Sequence, residues 1–362
     1  MIEIFGPTYR YCGEILNSPE IIFVNDHHYD ENAHCFHLKQ LLENSACDPQ
    51  QHLIVFDHIS HQDQLSNYNH ISLPVFLSAS AVEFAQKKIK PNWENKTHAF
   101  NFMINKVRPH REFLLVLIKH FKLDNFTYSL CWKQANVNCE TLIKNCSDPN
   151  YKEIIKNTAV DIPQKIYQFG QEILLDRGLK YGHVKNVENY TGLLQSTVFE
   201  PSCISLITEP SFYEKEIVKT EKTLMAMYGI TLPIWVGGWQ IPESLRKLGF
   251  DVFDDIIDHS YENLNDPWDR AFYAVGKNLD LLKDFDRVNK FISNNISRFQ
   301  RNIELIEQNV FLQYITNQIS LYDDKIKLAL IKIVQNFNGH NIKHASLSNI
   351  NLSSIQITQK LF

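Results

Sequence analysis

No stretch of this sequence approaches about 18 uncharged apolar residues, the length a spanning helix needs. Met1-Ile2-Glu3-Ile4-Phe5 shows no basic segment ahead of an apolar one, so neither a secretory leader nor a membrane anchor is expected, and a cytoplasmic location is. The seven cysteines form no C-x-x-C pair and are scattered from Cys12 to Cys203. An odd, dispersed set argues for reduced thiols rather than a disulfide framework. Cys131, Cys139 and Cys146 have no companions at zinc spacing. The net charge of −5 shows no basic excess that would draw the chain to nucleic acid. No Gly-x-Ser-x-Gly or Walker lysine motif occurs, which counts against a serine hydrolase or a P-loop nucleotidase. His27, His28, His34 and His37 cluster, and His34 and His37 are three apart in a helical pattern. Without an H-E-x-x-H or similar companion they read better as a solvated face than as metal ligands, so no metal site is expected.

What the sequence does contain is apolar runs separated by helical patterns. A hydrophobic content of 44% over 362 residues supports one or two domains with sizeable cores. Residues 1–95 read as a first α/β domain. Ile21 to Val24 is a strand ending at Asp26-His27, and Leu53 to Phe56 is a strand ending at Asp57-His58. A helix is expected from about Glu31 to Asn44. The apolar run Ile71 to Leu77 reads as a third strand, before a helix with Ala81, Phe84, Ala85 and Ile89 on one face. Pro91 to Asn95 reads as a linker. In the second domain, 96–280, Phe100 to Ile104 and Tyr128 to Trp132 flank a helix whose inner face is Phe113, Leu114, Leu117, Ile118 and Phe121. From about 136 to 201 the pattern weakens; Ile166, Phe169, Ile173 and Leu174 suggest one amphipathic helix in an insertion. Residues 281–362 read as a helical C-terminal extension, with heptad-like patterns through Leu305, Val310, Leu312, Ile315, Ile326, Leu330 and Ile333.

The densest signal lies between Cys203 and Phe250. Ile204 to Thr208 is a β-branched strand ending at Glu209-Pro210. Thr220 is placed to cap a helix, with Glu221 in its first turn, where the dipole favours negative charge. Leu224, Met225 and Tyr228 form its inner face and Gly229 is placed to end it. Leu232 to Val236 is the next strand, Gly237-Gly238 turns the chain, and Pro242 opens a helix that Gly249 stops. Such a unit belongs to a parallel α/β sheet, whose ligands bind outside the carboxyl ends of the strands and whose phosphates sit at helix N-termini. Glu209, Thr220, Glu221, Lys222, Gly237 and Gly238 fall at that edge. Thr220 to Thr223 also fits an ordinary capped helix, and Gly237-Gly238 an ordinary turn.

Glu209, Thr220-Glu221-Lys222-Thr223 and Leu232-Pro233-Ile234-Trp235-Val236 resemble the donor-binding half of GT-B glycosyltransferases, in the layout of the α1,3-fucosyltransferases and their bacterial and phage relatives. Asn105 to Arg111 is similar to a second block, in which an arginine on the helix after a strand meets the donor diphosphate. The resemblance covers about Asn101 to Leu123 and Cys203 to Tyr273. It implies two Rossmann-like lobes, with Glu221 on the ribose of a nucleotide-diphosphate sugar, Lys222 on its diphosphate and Arg111, with Arg108 as second choice, beside it. It also implies inversion, no required metal or cofactor, and an acceptor hydroxyl on the side of residues 1–95. The family's Glu-Asn-Ser is here Glu209-Pro210-Ser211, a departure that leaves the donor sugar open. Asp284-Phe285-Asp286 spells the D-x-D of metal-dependent GT-A enzymes but lies in a helical pattern, where residues two apart diverge.

Transfer to a hydroxyl requires a base. Asp57, Asp26 and His58 are the candidates, because strand ends are where α/β sites form; the aspartates equally fit turn or helix caps. Two other classes fit the same sequence: a glycan- or nucleotide-binding module without turnover, and a nucleotide-sugar hydrolase or phosphorylase.

Overall fold

The computed structural model describes residues 2–5, 20–24, 52–56, 69–87, 92–104, 108–130, 139–159, 198–210, 212, 217, 219–324, 326–328 and 330–331. The chain is mixed α/β, and its described strands form two four-stranded sheets, every pair parallel. The first sheet runs in chain order: β1 (Ile2–Phe5), β2 (Glu20–Val24), β3 (His52–Phe56) and β4 (Asn69–Ser72). β1 is a strand that the sequence reading did not identify. The run Ile71 to Leu77, expected as one strand, is divided: β4 stops at Ser72 and helix α1 (Val75–Lys87) begins after Pro74. Proline cannot donate to a ladder but fits a helix start, and the N–H of Ser78 already bonds the Pro74 carbonyl at 3.0 Å.

The second sheet contains β5 (His98–Ile104), β6 (Phe126–Leu130), β7 (Ser202–Ile207) and β8 (Leu232–Trp235), in the order β6-β5-β7-β8. The chain leaves β5 outward to β6 and returns on the other side to β7. That reversal makes a switch point between the carboxyl ends of β5 and β7, the place where open parallel sheets hold ligands. Helix α2 (Pro109–His120) makes the first crossover, and its residues from His110 to Ile118 are all buried. A helix covered all round carries apolar residues on every face, as Phe113 to Ile118 do here.

The segment expected as an insertion contributes α3 (Cys139–Asn145) and α4 (Pro149–Ala159). Neither is peripheral: Leu142, Cys146, Tyr151 and Ile155 lie in the main core, and Tyr151 meets Phe113 edge-on at 5.8 Å. The expected helix around Ile166 to Leu174 lies outside the described residues, as do the helix at 31–44 and the histidine cluster. Described Cys139, Cys146 and Cys203 are free thiols.

Helix α5 (Glu221–Tyr228) joins β7 to β8, and α6 (Ile241–Arg246) follows β8. Gly249, expected to stop the helix after Pro242, turns left-handed at φ +88°. Gly229 does not. It stays right-handed at φ −72°, and Ile230 takes the positive φ of 52°. The reason lies in register: Ile230 N–H bonds Met227 O and Thr231 N–H bonds Ala226 O, so position 230 must turn left-handed. Burial of the Ile230 side chain offsets a backbone cost of about 1–2 kcal/mol. Buried Lys96 closes the same helix end, its ammonium 2.6 Å from Gly229 O.

The C-terminal helices are α7 (Pro267–Gly276), α8 (Leu279–Lys283), α9 (Phe285–Asn294), α10 (Ile296–Glu307) and α11 (Val310–Ser320). The long helices expected beyond residue 277 are thus short ones, broken at Asp284, Asn295 and Asn309, residues that favour caps over helix interiors. They are no appendage either. Val288, Ile292, Phe299 and Ile306 belong to the main core, while Ile315 and Ile319 join Leu53, Val55 and Ile71 in a second core over the first sheet. Asp284 accepts from Arg287 N–H at 3.0 Å and caps α9, so the D-x-D letters spell a helix start. Among the described residues, no helix is long and apolar enough to cross a membrane.

Candidate functional site: a cationic edge on the second sheet

β7 delivers Thr208 and Glu209 to the switch point. The Glu209 carboxylate is buried, and the chain itself uses both oxygens. Oε1 accepts from Thr220 N–H at 2.9 Å and the Thr223 hydroxyl at 2.7 Å, and Oε2 accepts from the Thr220 hydroxyl at 2.5 Å. Glu209, expected as a donor contact, therefore builds the loop and the start of α5. Thr220 is the predicted cap, its oxygen also accepting from Lys222 N–H at 3.4 Å and from the Lys222 ammonium at 3.0 Å. Lys222 is itself buried, with Glu209 and Glu221 each 3.8 Å from its Nζ, beyond hydrogen-bond range. Glu221 is the more exposed of the two carboxylates, at 29%.

From the β5 side, the start of α2 brings three further predicted or neighbouring groups to the same place. The Arg108 guanidinium donates to Pro210 O, and Arg111 Nη2 donates to Thr208 O at 3.3 Å. Between them His110 is fully buried, its Nε2 donating to Glu209 O at 2.8 Å, and its ring stacks on Phe212 with centroids 5.0 Å apart. The carbonyl acceptor assigns the proton to Nε2. Burial first, then the charges of Arg111, Arg108 and Lys222, hold His110 well below the ordinary imidazole range, so a neutral ring spaces the cations.

Gly237 and Gly238 follow β8 at the same edge. Gly237 has φ +94°, and a Cβ there would meet Phe212 Cδ2 at 2.8 Å, so the loop accepts only glycine without rearranging. A Cβ on Gly238 would meet the Ile241 side chain, Cδ1 at 2.2 Å and Cγ1 at 3.1 Å.

Besides His110, two more residues that the sequence reading passed over lie at the edge. Lys219 is buried next to Thr220 and donates to Ser244 Oγ of α6 at 2.8 Å. Burial pushes its ammonium down to about 8, against the pull of Glu209. Its adjacency to Thr220-Glu221-Lys222 was the available signal. Arg270 of α7 is wholly buried and bonds Gly237 O at 3.0 Å and Phe212 O at 2.8 Å. Nothing in a helical pattern distinguishes such an arginine from one facing solvent.

The predicted Arg108, Arg111, Glu209, Thr220, Glu221, Lys222, Gly237 and Gly238 thus come together, although β5 and β7 are about a hundred positions apart in sequence. Asp57, Asp26 and His58 lie outside the described residues. The charges of Arg108, Arg111 and Lys222 all act on buried His110, and Lys219 and Lys222 lie beside the Glu209 carboxylate. Cations gathered at the carboxyl edge of a parallel sheet, beside a helix N-terminus, are chemically suited to an anionic ligand. No protein-family model, no curated protein and no solved structure matches this chain.

Proposed function

We propose that this cationic edge binds the diphosphate of a nucleotide sugar and that the chain is a GT-B-like glycosyltransferase. The observation carrying the reading is the convergence of four cations around the end of β7 at a sheet switch point: Arg108 and Arg111 on the carbonyls of Pro210 and Thr208, and Lys219 and Lys222 beside the buried Glu209 carboxylate. In this reading Lys222 and Arg111, seconded by Arg108, meet the diphosphate, and the partly exposed Glu221 meets the ribose. The resemblance of Thr220 to Thr223 to the fucosyltransferase pattern supports the same roles. The domain containing the first sheet carries the acceptor.

The chemistry is a single inverting displacement. An acceptor oxygen bonds to the anomeric carbon, the bond from that carbon to the diphosphate breaks, and the diphosphate leaves with the electron pair. Fixed cations lower the barrier because they are already oriented where negative charge grows. The acceptor proton passes to a base, for which Asp57 is the first candidate and Asp26 or His58 the alternatives. Protein cations do here what a bound metal does in other transferases, so no metal is required.

Incubation with a panel of nucleotide sugars, with and without mixed acceptors, tests the reading. Release of nucleoside diphosphate that depends on acceptor supports transfer. Acceptor-independent release makes the protein a hydrolase, and binding without product makes it a recognition module.

A further inference from the structure

The hydrogen bonds of Arg270, among the described residues, go to four backbone carbonyls. Nε bonds Gly237 O at 3.0 Å, Nη2 bonds Phe212 O at 2.8 Å, and Nη1 bonds Leu264 O at 2.8 Å and Asn265 O at 3.1 Å. Its guanidinium also lies 5.4 Å from the centre of the Trp239 ring. No carboxylate forms an ion pair with it among the described residues. Asp266 is the acid whose charge reaches it, and its Oδ1 accepts from the N–H groups of Trp268 and Asp269, at 2.7 and 3.1 Å. A fully buried charge held by dipoles alone is costly, and arginine tolerates that position because its planar fork satisfies several carbonyls at once.

Those carbonyls belong to the loops that shape the edge. Phe212 lies in the β7–α5 connection, packs on His110 and fills the space a Gly237 side chain would need. Gly237 and Trp239 lie in the β8–α6 connection. Leu264 and Asn265 precede α7. One guanidinium therefore ties three connections together, directly behind the groups that face the ligand.

We infer that Arg270 is a positioning residue that couples anion binding to the order of these loops: it fixes Phe212 and Gly237, and its charge is balanced when an anion occupies the edge. The inference rests on the proposed diphosphate site. It deepens that reading by adding a residue that touches no ligand yet sets affinity. The role has two separable parts, the fork that joins the loops and the charge that favours the anion. Lysine keeps the second without the first, and methionine keeps neither.

The test uses inorganic pyrophosphate as probe, by calorimetric titration of the full chain at low and high salt. Arg270→Met, folded by circular dichroism, is expected to bind at least about tenfold more weakly, with a shallower salt dependence. Arg270→Lys is expected to recover the salt dependence but not the affinity. A merely structural residue would lower the melting temperature and leave the salt slope of binding unchanged, so that result overturns the inference. Hydrogen exchange on the parent protein supplies the second arm should Arg270→Met fail to fold. Pyrophosphate is expected to slow exchange at positions 236–240 and 264–266. Saturation with no change there overturns the inference too. Absence of pyrophosphate and nucleoside diphosphate binding by the parent protein would instead remove the diphosphate site itself.

Discussion

Thr220 gives both its hydroxyl and its backbone N–H to one carboxylate, that of Glu209, at 2.5 and 2.9 Å. This pair joins the end of β7 to the start of α5 across eleven positions, and Lys222 and Thr223 are set by the same group. Glu209→Gln replaces one acceptor with a donor and removes the charge that balances Lys219 and Lys222. The expected loss of stability is about 3 kcal/mol, read from the urea midpoint. A midpoint equal to the parent's would show that the pair does not hold the loop.

Titration of His110 supplies a second test. Its folded imidazole is held well below the usual range, so below about pH 6.5 the unfolded chain takes up a proton that the folded chain refuses. Stability is therefore full above that pH and falls as the pH drops, by at most about 1.4 kcal/mol per unit for one such proton. His98, His120 and His259 are also shifted down by burial and act with the same sign. Urea unfolding at several pH values between 5 and 7.5 should therefore give a slope that His110→Gln reduces without abolishing. An identical slope in the variant would mean that His110 protonates in the folded protein.

The base is tested by comparing two aspartates. Asp57→Asn is expected to leave nucleotide binding intact and to lower transfer by about a hundredfold or more. Should Asp26→Asn slow transfer and Asp57→Asn not, the role belongs to the other strand end. Parent rates in both variants would exclude the two together.

In the proposed reading, fixed cations take the place of a metal at the leaving diphosphate. Transfer is expected to survive EDTA at the parent rate. Loss of activity on chelation, restored by manganese, would contradict the assignment of Lys222 and Arg111 to the leaving diphosphate.

The second sheet was readable in sequence because its strands are buried on both faces and flanked by strong signals, such as Thr220 as a cap and Gly249 as a stop. Caps and glycine turns are local, so they survive without knowledge of the fold. Ile230 shows the limit: Gly229 carries the expected letter, but hydrogen-bond register assigns the left-handed turn to its neighbour. Pro74 shows another, since an apolar run looks alike in strand and helix and only the missing N–H divides it. The C-terminal helices looked like an extension because periodicity reports an apolar face and not what covers it; Ile315 and Ile319 cover β3. Within the site, Lys222 and Arg111 were legible through motif position. His110 and Arg270 were not, because each works through burial and backbone carbonyls, which leave no spacing to recognise.

The most direct measurement of the central claim is binding of nucleoside diphosphates against their parent nucleosides, by calorimetry and by thermal shift, in the parent chain and in Lys222→Ala. A ligand that binds only the folded state raises the unfolding temperature with concentration, more so the tighter it binds. The parent is expected to bind a diphosphate more tightly than its nucleoside. Lys222→Ala should weaken the diphosphate about tenfold to a hundredfold while leaving the nucleoside unchanged. Coincident titrations of parent and folded variant, or equal affinity for nucleoside and diphosphate, would contradict the diphosphate site.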